Sequence, residues 1–291
     1  MEAATVRARP AVTSRAWAWL RRNAILIFAG LAVAYMLIPI LVVALFSFDT
    51  GSEQGELDFA WSAFTLDYWR DAFGNEDVTN SMRTSLELAA LATIGSTALG
   101  TLMAMALVRY QFHGRKASNL LIILPMATPE IVIGAALLSM FVLPPFNGIF
   151  DLGFQTLLVA HIMFSISFVV VVVRSRLIGF DRSLEEAAAD LGATPLTVFR
   201  TVTLPLLAPA IVAAALLAFA LSLDDFVISN FNSGSTETFP LYIFGANQRG
   251  IPVQVNVLAT MLFAVTVVAI ALVLWQQRRA EQLASVRPDD V

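Results

Sequence analysis

Apolar residues fall along this chain in six long runs, at 24–48, 84–108, 119–142, 156–173, 205–223 and 257–275, separated by segments rich in charged or turn-forming residues. Runs of about 18–25 apolar residues are long enough to cross the hydrocarbon core of a bilayer as α-helices. The pattern predicts an all-α, polytopic membrane protein with six transmembrane helices. Only Pro39 interrupts the first run. A cleaved leader would carry roughly 7–15 apolar residues followed by a small-residue cleavage site. None is evident here, so the first run reads as an uncleaved span.

Between the fourth and fifth runs lies the longest polar break that still carries helix signals throughout, SLEEAAADLGATPLTVFRTVTLP over 183–205. Ser183 and Glu186 have the spacing of a capping box, in which hydroxyl and carboxylate each accept an orphan N–H. Leu184, Ala188 and Leu191 fall at i, i+4 and i+7 and form one apolar stripe. Gly192 suits the helix stop. Thr194 and Pro195 then start a second short helix as N-cap and first residue. Two short helices in succession make a docking platform. The three alanines Ala187, Ala188 and Ala189 allow close approach, and Glu185, Glu186 and Asp190 offer charge to basic groups on a partner. The plainer alternative is an amphipathic helix lying at the membrane surface.

The other polar segments add detail. Residues 49–83 are acidic, with Asp49, Glu53, Glu56, Asp58, Asp67, Asp71, Glu76 and Asp77 against Arg70 and Arg83. Trp61, Phe64, Tyr68, Trp69 and Phe73 lie among them, which suits an amphipathic helix at the interface or a solvated loop. In the second run Ser96, Gly100 and Ala104 repeat a small residue every fourth position and favour close helix packing. The third run contains Pro125 and Pro129, which break backbone hydrogen bonds and are tolerated where neighbours or a cavity satisfy the freed groups.

Composition fixes the class. The chain has 291 residues, 58% hydrophobic and 14% charged, against roughly 25% charged in soluble domains. It has no cysteine, so disulfides and thiolate metal sites are excluded. No Gly-rich phosphate loop is present, so the chain does not bind ATP through a P-loop. The net charge of −4 matters less than where the charges lie. Of the 18 Lys and Arg, 15 fall in the two terminal segments and in the second and fourth polar loops. The positive-inside rule then places both termini and the 174–205 loop in the cytoplasm. The expected division is a basic N-terminal tail at 1–23, a membrane domain at 24–275 and a C-terminal tail at 276–291.

Charges at membrane depth are costly, roughly 2.5–3.5 kcal/mol on insertion scales, and point to function. Asp224 and Asp225 stand where the fifth run meets the outer side, and Glu130 follows Pro129 within the third. Adjacent carboxylates repel unless a cation lies between them. A polyamine is such a cation: its ammonium groups need carboxylates, and its methylene stem tolerates aromatic walls. Phe219, Phe226 and Phe231 are near in sequence. The alternatives are an Asp pair that caps a helix end or meets a binding protein, and a Glu130 that satisfies freed amides. Glu87, in the first turn of the second span, reads as structural, and the isolated His161 as a hydrogen-bonded packing residue.

The spacing of Glu186-Ala187-Ala188, Gly192, Val202 and Leu204-Pro205 resembles the EAA loop of bacterial ABC importer permeases, with Val202 where Ile is usual. FTLDYWRDAF, LPMATPEIVIG, the stretch AHIMFSISFVVVVVRSRLIGFDRSLEEAAADLGA, LLAFALSLDDFVIS and NVLAT are similar to the spermidine/putrescine group of that family. The resemblance implies a type I ABC importer permease fold in the bacterial inner membrane, with no catalysis in this chain. It implies ATPase subunits that bind ATP and Mg and dock on the EAA loop, at Glu185, Glu186, Ala187, Ala188, Asp190, Gly192, Leu204 and Pro205. It also implies a second, different permease chain, a periplasmic or lipid-anchored solute-binding protein, and a substrate path at Asp224 and Asp225, to which the placement of Glu130 beside the helix break adds a third candidate. Membrane lipid surrounds such a subunit and no nucleic acid is expected. Two alternatives remain open: the same machine carrying an amino-acid derivative, thiamine-like or phosphonate solute, and a membrane-embedded enzyme.

Overall fold

The computed structural model describes residues 12–50, 61–248 and 250–285, so Arg7, Arg9, Glu53, Glu56, Asp58 and Arg249 lie outside the described residues. In chain order the helices are α1 (Val12–Phe46), α2 (Asp67–Arg70), α3 (Glu76–Arg109), α4 (Arg115–Ala127), α5 (Glu130–Val142) and α6 (Phe154–Ile178). They continue as α7 (Ser183–Asp190), α8 (Pro195–Val198), a π turn (Phe199–Thr203), α9 (Leu204–Leu223), α10 (Val227–Asn232), α11 (Phe239–Ala246) and α12 (Val253–Ser285). The fold is all-α: among the described residues the only β pairings are two isolated bridges. Four helical segments are long and apolar enough to cross a membrane, at Arg21–Phe46, Glu76–Arg109, Phe154–Ile178 and Pro195–Leu223. A bent pair, α4 with α5, makes a fifth, and α12 contains a shorter apolar helix, Val253–Ala269.

The chain forms two compact units, one of residues 1–72 with 250–291 and one of residues 73–249. In the first, α12 packs against α1 and α2. Most of the α1 side chains from Arg21 onward are exposed, and no part of its apolar window is buried. After α1 the chain closes on Phe48, whose ring stacks on Phe64 and Trp69 at centroid distances of 5.7 and 5.1 Å. The buried Asp49 accepts the Ser62 and Ala63 N–H groups at 3.0 and 3.2 Å. Within 49–83 the described helices are the single turn α2 and the first two turns of α3, and part of the aromatic set serves an intramolecular clamp.

In the second unit α3, α6 and α9 pack on one another. Ala104, Leu107, Val169, Val170, Val173, Leu207, Ala214 and Ala218 form their shared core, with Ile122 of α4. The small-residue repeat has its expected role. Ser96, Gly100 and Ala104 are all buried, and a Cβ added at Gly100 would lie 2.7 Å from Val169 Cγ1. A second cluster joins Leu137 and Phe141 of α5 to Ala160 and Phe164 of α6 and Ile228 of α10.

Three boundaries differ from those expected. The second span begins at Glu76, capped by the Asn75 side chain. Glu87 is therefore not in its first turn; it sits about three turns in and pairs with Arg83 at 2.7 Å. Run 119–142 is not a continuous helix: it divides at the prolines into two 13-residue helices bent by 115°. The residue before a proline is pushed out of the helical region, and Thr128 is extended, with φ −91° and ψ 136°. Lastly, the fifth span does not start afresh at Pro205: α8 runs through the π turn into α9 as one 29-residue segment.

Gly100→Leu is expected to lower the thermal stability of the detergent-solubilised protein by about 1–3 kcal/mol through overpacking against Val169. Gly30→Ala, where nothing lies within 4 Å of the added Cβ, is expected to leave stability unchanged or slightly raised. Equal unfolding temperatures for the two variants would remove the tight contact.

Candidate functional site: docking loop and acidic cluster

The loop between α6 and α9 is built by local capping. The Ser183–Glu186 capping box does not form. Ser183 is already helical, Arg182 occupies the N-cap, and the Asp181 carboxylate accepts the Ser183 N–H at 2.9 Å. A charged acceptor makes the stronger hydrogen bond, and this one holds the Asp181 carboxyl below its usual value. Glu186 is left exposed. At the other end Gly192 takes φ +87°. Its N–H reaches Ala189 O at 2.9 Å, and the Ala193 N–H reaches Ala188 O at 3.2 Å. This pair of bonds is the Schellman stop. Thr194 caps α8 through the Thr197 N–H, with Pro195 in the first turn.

Most of the loop's candidate residues face outward. Glu186, Ala187, Asp190, Gly192, Leu204 and Pro205 are exposed and Ala188 is half-buried. Leu191 is 90% exposed, beside Leu184 and Leu196 at 49% and 59%. Apolar side chains this exposed next to two free carboxylates form a partner-type surface. Glu185 departs from the expectation that it offers charge outward. Its Oε1 accepts from Arg109 Nη2 at 2.5 Å and from the Thr203 hydroxyl. The pair lines a groove of about 240 Å³ with Ala189, Pro195, Val198 and Phe199. Arg109 and Thr203 were not legible as its partners. Arg109 reads as one of several basic loop residues and stands 76 positions away.

The acidic residues occupy the joints of the membrane helices. Asp224 is the C-cap of α9 and is exposed. Asp225 is 8% exposed and caps α10: its two oxygens accept the Ile228 and Ser229 N–H groups at 3.3 and 2.8 Å. Glu130 opens α5 directly after the bend, is exposed, and lies within electrostatic reach of both aspartates. The fold thus gathers the three carboxylates that sequence singled out. Of the aromatic candidates, Phe226 packs on Phe244 at 4.7 Å, Phe231 is pressed against Gly134 and Phe219 is half-buried.

Behind this cluster, His161 of α6 ties the joint together. Its Nδ1 meets Ser222 Oγ at 2.7 Å, its Nε2 meets Ser229 Oγ at 3.0 Å, and Asp225 Oδ2 lies 3.5 Å away. Ser, His and Asp in proximity invite comparison with a nucleophilic triad. Here all are buried and both Asp225 oxygens hold backbone amides, so the set is a packed network. That agrees with reading His161 as a hydrogen-bonded packing residue, whose partners on α9 and α10 lie far off in sequence.

The family described as "Binding-protein-dependent transport system inner membrane component" matches residues 96–282. The chain is 37% identical over 252 residues to the spermidine/putrescine transport system permease protein PotC of Haemophilus influenzae, covering 86% of this chain and 94% of that one. It is 34% identical over 256 residues to the putrescine transport system permease protein PotI of Escherichia coli, covering 87% and 90%. Its fold is similar to a chain of a bacterial ABC transporter involved in alginate import, with TM-score 0.60, 17% identity, and coverage of 93% and 99%.

Replacing His161 with Phe strands the buried Ser222 and Ser229 hydroxyls, at about 1–3 kcal/mol for each group left without a partner. The variant is expected to unfold at a lower temperature in detergent. An unchanged unfolding temperature would show that the network does not hold the joint.

Proposed function

We propose, for a chain that belongs to the family of binding-protein-dependent transport system inner membrane components, that the solute carried is a polyamine. The chain is a non-catalytic, multi-pass permease subunit of an ABC importer. One observation carries the substrate class: Glu130, Asp224 and Asp225 converge at the joints α4–α5 and α9–α10, next to Phe226. Like charges held this close favour a cation between them, and an aromatic face adds about 0.5–1 kcal/mol for an exposed ammonium. The names of the PotC and PotI relatives support the same class. Within the cluster Asp224 and Glu130 are the exposed ligands for substrate, and Asp225 holds their geometry as the cap of α10.

The docking role falls to the outward surface of the loop. Glu186 and Asp190 meet basic groups of a cytoplasmic ATPase, Leu184 and Leu191 enter an apolar cleft of it, and Gly192, Leu204 and Pro205 shape the loop around them. ATP and Mg belong to that ATPase. The loop at 174–205 and both tails, 1–23 and 276–291, face the cytoplasm of a bacterial cell, on either side of a six-span domain at 24–275 in the inner membrane. A second, different permease completes the path, and a solute-binding protein delivers substrate from outside. The exposed apolar side chains of α1 suit contact with lipid or with that second permease.

The test is uptake of radiolabelled spermidine and putrescine by a bacterium lacking its own polyamine transport, expressing this chain with its partner subunits. Asp224→Asn combined with Glu130→Gln is expected to lower uptake by about tenfold or more, a loss of about 1.4 kcal/mol or greater, while the ATPase still co-purifies. Unchanged uptake would put the carboxylates outside the path. Uptake of neither polyamine by an assembled, ATP-hydrolysing complex would discard the substrate class. Glu186→Lys is expected to leave membrane insertion intact and to weaken ATPase co-purification. Retention of the ATPase at the parental level would move docking away from Glu186.

A further inference from the structure

Two neighbouring glutamates on α7 have opposite fates. Glu186 is exposed, whereas the Glu185 side chain retains 16% of its exposure and Arg109 retains 23%. Three elements meet at one carboxylate oxygen: Arg109 at the C-terminal end of α3, Glu185 in the first turn of α7 and Thr203 at the end of the π turn that leads into α9. Each partner is placed by its own local feature. The basic residue stands at the negative end of α3 and the acidic one at the positive end of α7, so both helix dipoles favour their charges. The π turn brings Thr203 into register. A π turn adds a residue to the helix, a phase shift of about 100°. Thr203 is fully buried, while Leu204 and Pro205, immediately after it, are exposed.

We propose that Arg109, Glu185 and Thr203 form a latch that joins the loop to α3 and α9, so that a displacement of the loop is passed to these two membrane helices together. The proposal rests on the reading that the loop docks an ATPase, and it assigns Glu185 to the chain's own mechanics rather than to that contact. A half-buried charged pair suits the task. In partial burial the attraction is stronger than at a water-exposed surface, and removing one member leaves the other without its counter-charge. The loop's other side-chain bonds stay local: Thr194 and Thr197 bond to each other at the start of α8, and the Asp181 carboxylate accepts the Ser183 N–H. Glu185 is therefore a positioning residue, and its loss uncouples without undocking.

The absence of native cysteine allows a direct test. Arg109→Cys with Glu185→Cys, in the complete complex reconstituted in lipid vesicles, is compared before and after bridging by a short bifunctional thiol reagent whose disulfide links can be reduced. Before bridging, ATPase subunits are expected to remain bound and to hydrolyse ATP, while uptake falls about tenfold, a typical size for a coupling between sites. Bridging is expected to restore uptake, and reduction to abolish it again. Parental uptake by the unbridged variant would overturn the latch. So would a bridge that forms and leaves uptake low, because the pair would then have to part during the cycle. Loss of the ATPase from the unbridged variant would return Glu185 to the docking surface. The docking reading is checked separately by Glu186→Lys: if that variant and the parent bind the ATPase equally while the Cys pair behaves as expected, docking at Glu186 fails and the latch stands.

Discussion

Inside a bilayer no water is available to satisfy an open N–H or C=O, so a membrane helix can be interrupted only where the chain itself supplies the missing partners. The second unit of this chain is organised by that constraint. It has an interrupted pair of apolar helices at Thr128–Pro129 and a helix end at Asp224–Phe226, where the chain turns into α10, and each brings its own partners. Thr128 returns both its N–H and its hydroxyl to the Leu124 carbonyl. Asp225 takes two N–H groups of α10, and His161 braces the joint from α6. The joints that need polar residues for backbone reasons are the places where carboxylates can stand, and Glu130, Asp224 and Asp225 stand there.

The same economy of partners shapes the loop at the other end of α9. Every polar group drawn inward there is fixed by a named neighbour, which leaves a definite remainder facing out: Glu186, Asp190, Leu184 and Leu191. The carboxylates proposed to meet substrate and the surface proposed to meet the ATPase thus lie at opposite ends of α9, one at Asp224 and one beyond Thr203. The helix between them is almost wholly apolar and packs on α3 and α6.

Sequence carried the features that depend on near neighbours. Gly192 ends α7, Thr194 and Pro195 begin α8, and Ser96, Gly100 and Ala104 mark the tight face of α3. At the start of α7 the local pattern misleads: the Asp181 carboxylate takes the Ser183 N–H, and Ser183 lies inside the helix instead of capping it, because an ionised acceptor outcompetes a hydroxyl. The 115° bend lay behind Pro125 and Pro129, yet prolines announce a break without giving its angle, which depends on what α5 packs against. Least legible were bonds between distant segments. No pattern around Glu185 names Arg109, and none around His161 names Ser222 or Ser229.

The elbow between α4 and α5 has a mechanical character of its own. Thr128 bonds backward to Leu124, and the Pro129 carbonyl serves Val132 and Ile133 ahead of it. No backbone hydrogen bond crosses the link between these two residues, and the proline ring has already frozen its φ. Both Thr128 and Pro129 have extended ψ, 136° and 134°, and ring contact with the threonine holds the first of these in the extended range. Stiffness of this origin is repulsive. It does not weaken when water enters or leaves the surroundings, as a polar bond would, so the restraint on Thr128 beside Glu130 is the same in wet and dry surroundings.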